Sequence, residues 1–200
     1  MREPTVLEER AARLTSDLGR APVVPAVRGV GDSLGEILAA DYPAVFLLGG
    51  GVFDLVELLR GCVRRPPVFV NVDLTRGVSS DAEGIRYLAR HVEGVISTHH
   101  RTIEIARSSG LITIQRLFAI DSGAVERGLK VIARAAPDFV EILPALAYPE
   151  IADQYREACG IPVLAGGLVK DAGQISSLLA AGACGVSTSA EHLWGFRGDE

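Results

Sequence analysis

Eight short apolar runs recur along this chain every 20–25 residues, and that interval limits the fold more than any motif does. The runs are "VVPAV" at 23–27, "AVFLL" at 44–48, "VFVNVDL" at 68–74, "GVIST" at 94–98, "ITIQRLF" at 112–118, "FVEIL" at 139–143, "PVLAGG" at 162–167 and "GVSTS" at 185–189. Such a period holds one strand, one helix and two tight loops, the crossover that parallel strands need. Eight units predict an α/β fold, a TIM-like (β/α)8 barrel; an open doubly wound sheet is the alternative. Capping-box spacing marks helix starts at Thr5 with Glu8, Ser33 with Glu36, Ser80 with Glu83, Asp171 with Gln174 and Thr188 with Glu191. Leu7, Ala11, Leu14 and Leu18 then predict an N-terminal helix within residues 1–20, ahead of the first strand. No linker or low-complexity tract interrupts residues 1–200, so the expectation is a single barrel domain.

Hydrophobic residues make up 48% of the chain, enough to fill a core of this size, but they never run long enough to span a membrane. Asp54 and Glu57 break the longest stretch, "VFLLGGGVFDLVELL", and the charged N-terminus does not read as a signal segment, so a cytoplasmic protein is expected. Cys62, Cys159 and Cys184 lie too far apart for a disulfide framework or zinc site and read as small core residues. His91, His99, His100 and His192 lack metal-ligand spacing, and no metal is expected. A net charge of -5 argues against RNA binding by bulk attraction while leaving room for a local basic patch.

In a barrel the ligand sits at the C-terminal ends of the strands, with phosphate commonly held by the loops after strands seven and eight. Those loops carry Gly166 and Gly167, then Lys170, and Ser187, Thr188 and Ser189. Backbone N–H groups and hydroxyls there suit a dianion, with Lys170 placed to neutralise it. A plain glycine turn and a helix cap at Thr188 are the competing readings. Asn71 and Asp73 alternate with Val70 and Val72, and Glu141 lies between Val140 and Ile142, so charge falls on otherwise apolar strands. These groups either accept hydrogen bonds from ligand hydroxyls or pair with Arg28 or Arg116 at neighbouring strand ends. Neither Lys130 nor Lys170 falls on a strand where a Schiff base would form, and no catalytic set is complete.

An ordered set of motifs then narrows the reading: "PAVR" at 25–28, "NVDLTRG" at 71–77, "IST" at 96–98, "IQRLFAIDS" at 114–122, "PDFVEILP" at 137–144, "IPVLAGGLVKD" at 161–171, and "GVSTS" with "LW" at 185–194. Together they resemble the bacterial glycerol-3-phosphate-responsive antiterminator family, over nearly the whole chain beyond the first helix. The resemblance implies a regulator, not an enzyme, that binds glycerol 3-phosphate without a cofactor and acts on the leader mRNA of glycerol-metabolism genes to prevent termination. It implies that Gly166, Gly167, Ser187, Thr188 and Ser189 hold the phosphate. Asp73, Arg116 and Glu141 would lie near the glycerol end, with Asn71 and Arg28 beside them. For RNA the expected contacts are Arg101 and Arg107 after strand four, whereas Arg64 and Arg65 precede a strand and read as a solvated turn at the opposite end. Relatives tend to carry a polar side chain where this chain has "LLGGG" at 47–51, and a basic residue where it has His99 and His100. A homodimer is among the states the sequence admits, and the alternative function is a TIM-barrel isomerase, lyase or synthase acting on a small phosphorylated substrate.

Overall fold

The computed structural model describes residues 4–198, and their architecture is the closed barrel. Its strands are β1 (Val23–Val27), β2 (Val45–Leu47), β3 (Val68–Asn71), β4 (Gly94–Ser97), β5 (Ile112–Phe118), β6 (Phe139–Leu143), β7 (Val163–Gly166) and β8 (Gly185–Thr188). All pair in parallel in chain order, and β8 closes on β1 through Val23 opposite Val186. The helices are α1 (Val6–Arg20), α2 (Asp32–Ala39), α3 (Val52–Arg60), α4 (Ala82–Leu88), α5 (His100–Ser108), α6 (Ser122–Ala135), α7 (Tyr148–Ala158) and α8 (Ala172–Ala180).

Alternation along the strands makes two apolar layers. Val24, Phe46, Phe69, Ile96, Ile112, Ile114, Phe139 and Leu164 fill the interior, while Val45, Val70, Val95, Val140, Val163 and Val186 face the helices. Helix α1 covers the N-terminal end of the barrel and lends Leu14 and Leu18 to the interior cluster. It is started by the expected capping box, in which Thr5 Oγ1 accepts from Glu8 N–H at 3.3 Å and Glu8 Oε2 accepts from Thr5 N–H at 2.7 Å. It is fastened by Arg10, which donates to the carbonyls of Gly110 and Glu93, each at 3.1 Å. The predicted start of that helix before Thr5 includes residues 1–3, which lie outside the described residues.

Several expected details are corrected. Helix α2 begins at Asp32 behind Gly31, not behind Ser33, and α4 is capped by Asp81, not Ser80. The Asp81 carboxylate accepts from Glu83 and Gly84 N–H groups, and the bond from Gly84 chiefly holds its pKa below the usual value. Among the described residues no α-helix follows β8: Glu191–Leu193 form one 3-10 turn, capped by Ala190 with no side-chain bond. Strand β3 ends at Asn71, because Asn71 Oδ1 accepts from the Asp73 N–H at 3.0 Å and turns the chain. Asp73 is therefore a loop residue. All three cysteines are free and half-buried, and burial pushes the Cys184 thiol up to about 12.

Candidate functional site

Parallel strands bring Arg116 of β5 directly opposite Glu141 of β6, and both side chains share the parity that points into the barrel at its C-terminal mouth. Arg116 Nε donates to Glu141 Oε2 at 2.6 Å, and Ser187 Oγ, from β8, donates to Glu141 Oε1 at 2.6 Å. Side-chain exposure is 10% for Arg116 and 2% for Glu141, so this is a buried pair. Removing either partner alone would strand a charge, at a cost of about 3–5 kcal/mol. Among the described residues the two terminal guanidinium nitrogens of Arg116 make no hydrogen bond, which leaves its donor edge for an anion or a hydroxyl.

Gly166 ends β7 beside this pair. A Cβ there would lie 2.5 Å from Ser187 Oγ and 2.6 Å from Glu141 Oε1, so the glycine makes room for the carboxylate and its donor. Gly167 follows with φ 80° and Leu168 with φ 63°; both are left-handed, which glycine adopts freely and leucine only at a cost of about 1–2 kcal/mol. Such strain in a mouth loop marks a place where backbone position matters. Neighbouring loops are bonded to one another: Ala145 N–H donates to Gly167 O at 3.2 Å, and Ala119 N–H to Leu143 O at 2.8 Å.

The other expected contacts divide. Ser187 belongs to the buried cluster, and Ser189, two residues further along, is exposed at the mouth. The Thr188 hydroxyl is turned to local bonds, donating to Val169 O at 3.4 Å and accepting from the Ala190 N–H at 3.1 Å. The Lys170 ammonium is exposed and makes no bond among the described residues; its own N–H donates to Gln174 Oε1 and its carbonyl lies 3.2 Å from His192 Nε2. Asn71 is buried, while Arg28 is exposed without a side-chain partner among the described residues. Asp73 is committed to the next loop: Oδ1 accepts from Ser97 Oγ at 2.6 Å, and Oδ2 from the Thr98 N–H at 2.7 Å and hydroxyl at 2.8 Å.

The "LLGGG" segment also acquires a role. Gly50 and Gly51 pair with Thr75 and Arg76 in a two-residue parallel ladder that ties the loop after β2 to the loop after β3. Arg101 is exposed in the first turn of α5, at the mouth. Arg107 lies in its last turn, at the other end of the barrel, where it donates to the Ala136 carbonyl. The two arginines therefore form no common patch.

Position and chemistry define the class first: a (β/α)8 barrel whose buried ion pair and polar strand ends gather at the C-terminal mouth. The chain belongs to the glycerol-3-phosphate responsive antiterminator family, whose model matches residues 23–194. It is similar to the glycerol uptake operon antiterminator regulatory protein of Listeria monocytogenes, at 32% identity and a TM-score of 0.79, over 87% of this chain and 95% of that one. A glycerol uptake operon antiterminator-related protein of Thermotoga maritima matches at 31% identity and a TM-score of 0.74, over 87% and 98% of the two chains. Among curated sequences, the uncharacterized protein YgcP of Escherichia coli K12 is 30% identical over 88% of this chain and 93% of its own. A putative deoxyribose-phosphate aldolase from Coccidioides immitis, at 13% identity and a TM-score of 0.66, shares the fold. No helix among the described residues is long and apolar enough to cross a membrane.

Proposed function

We propose that this protein is a glycerol 3-phosphate sensor whose liganded form binds the leader mRNA of glycerol-metabolism genes and prevents termination. The observation that carries the reading is the half-used arginine of the mouth: Arg116 is fixed by Nε to buried Glu141 and keeps its other donors for a ligand. The phosphate takes the backbone of Gly167 and the loop after β8, with Ser189 and Lys170 beside it, and the glycerol hydroxyls lie toward Arg116 and Asn71. Membership of the antiterminator family supports this ligand and this kind of output.

Binding without turnover is the better reading of the carboxylates. Each oxygen of Glu141 already accepts a hydrogen bond of 2.6 Å, and each oxygen of Asp73 is likewise engaged, so neither acid is poised to move a proton. Lys130 is on α6 with Glu126 and Lys170 is on a loop, so a barrel-strand Schiff base has no donor. A gel-shift titration of leader RNA from the protein's own operon, with and without glycerol 3-phosphate at stated salt, tests the function. A shift that needs the metabolite supports it. No shift at saturating metabolite and low salt returns the protein to the enzyme reading.

A further inference from the structure

At the end of the barrel opposite the mouth, a groove of about 890 Å³ opens between α1 and the loops that lead into β2 and β3. Arg10, Arg13 and Arg20 of α1 line it together with Arg64 and Arg65, which lie more than 40 residues further along the chain. Its acidic lining is Asp17, Asp41 and Glu93, so the groove carries more positive than negative charge on a chain whose net charge is -5. The arginines differ in what they already do. Arg10 holds two backbone carbonyls, Arg65 pairs with Glu93 at 2.7 Å, and Arg13 lies 3.8 Å from Asp17. Arg20 and Arg64 are exposed and make no ion pair or hydrogen bond among the described residues. Two fixed arginines thus build the walls, and two unpaired ones stand free at the surface.

The geometry points to this groove as the RNA contact: a short single-stranded stretch of the leader, its phosphates on Arg20 and Arg64 and a base against Tyr42, which also lines the groove. This rests on the RNA-binding function proposed above and assigns it a surface. Arginine suits the role because it pairs with phosphate and stacks on bases, while Tyr42 supplies a ring for stacking. The volume suits a few nucleotides rather than a duplex. An acidic protein that binds RNA must concentrate its positive charge, and the groove gathers five arginines along one cleft; at the mouth Arg116 is neutralised by Glu141, Lys170 stands beside the phosphate in the function proposed above, and the exposed Arg28 and Arg101 are that end's competing contact.

A line of contacts joins this groove to the ligand loop. Trp194 Nε1 donates to the Thr188 carbonyl at 2.8 Å at the end of β8, and the indole meets the Tyr42 ring edge-on, with centroids 6.4 Å apart. A shift of the strand-eight loop therefore has direct side-chain contact with the groove wall.

The test measures leader-RNA affinity and its salt dependence in full-length wild type, Arg64→Glu, Arg20→Glu, the double variant and Arg101→Glu, all with saturating glycerol 3-phosphate. Because Arg20 and Arg64 make no ion pair or hydrogen bond among the described residues, their variants should fold and bind the metabolite normally, with Arg20→Glu melting slightly lower because it reverses a charge in the last turn of α1. RNA affinity should fall about tenfold for each lost charge-assisted contact, and the slope of log affinity against log salt should flatten by about 0.7 per lost phosphate contact on a single strand. The milder Arg64→Gln should show the same direction with a smaller loss. If the double variant binds RNA as the wild type does, the groove is not the contact, and loss in Arg101→Glu alone would place the RNA at the mouth. Wild type that binds no leader RNA overturns the function and this assignment together.

Discussion

The two ends of the barrel solve opposite problems with the same residue type. At the mouth, Arg116 is buried and locked to a carboxylate that is itself held by Ser187, an arrangement that fixes a few donors for a small ligand. At the far end, Arg10 and Arg65 are spent on fastening α1 and its neighbouring loops, and Arg20 and Arg64 are left in water. Fixed charge in a dry site gives selectivity for one anion; free charge in a wet groove gives salt-sensitive attraction to many. The difference teaches that the net charge of a chain says little about its partners until each cation has been assigned a task.

The largest expected effect breaks the mouth. Arg116→Met leaves Glu141 buried without its counter-ion and should destabilise the barrel by about 3–5 kcal/mol while removing metabolite binding; denaturant unfolding and ligand titration of the folded fraction read the two losses. A milder break is Gly166→Ala, whose methyl cannot coexist with the present positions of Ser187 and Glu141. It should cost about 1–3 kcal/mol of stability and weaken ligand binding, and normal affinity would show that the carboxylate can move aside without consequence.

Leu18→Ala strikes the other end, where that buried side chain joins the interior cluster under α1. It should cost about 2–5 kcal/mol in unfolding experiments yet leave metabolite affinity in the folded protein intact, because it sits under α1 at the end of the barrel opposite the mouth. A fall in affinity would mean that the two ends are not separable. Trp194→Phe sharpens the comparison further by deleting the hydrogen bond to Thr188. Metabolite binding should persist, while the ratio of RNA affinities with and without metabolite should shrink by about 0.5–2 kcal/mol in coupling energy, read by paired gel-shift titrations.

The smallest effect is the pH response of His91, near the same end as Arg65. Burial first, then Arg60 and Arg90, holds its pKa below the ordinary 6.5. The unfolded chain therefore binds the proton more readily, so this contribution is fully present above pH 6.5 and is lost as pH falls toward the folded value. Unfolding free energies measured between those limits should lose part of their slope in His91→Gln.

Much of this was legible in the chain, and the reason lies in range. Strand β5 runs over the predicted residues 112–118 because its apolar alternation is local, and Thr5 caps α1 because a capping box needs only four residues. The misreadings are local signals overruled by neighbours. Ser80 has the right spacing from Glu83, yet the carboxylate of Asp81 reaches two N–H groups at once. Thr188 has the spacing of a cap, yet its hydroxyl is occupied by Val169 and Ala190. Asp73 fits the alternation of β3, yet the side chain of Asn71 ends that strand first. Gly166 was legible as part of a glycine turn; that it clears space for Glu141 depends on a residue 25 positions away. Arg64 and Arg65 read as a solvated turn because they precede a strand at the end opposite the mouth, and only the return of α1 across the barrel end sets them in a groove.

The central claim is that the mouth is built for a phosphorylated glycerol and anchors it mainly by its phosphate. Isothermal titration calorimetry of the wild-type protein with glycerol 3-phosphate and, separately, glycerol tests it most directly. The account predicts saturable binding of the phosphate ester and far weaker binding of glycerol. Equal affinity for the two, or no binding of either, would contradict it.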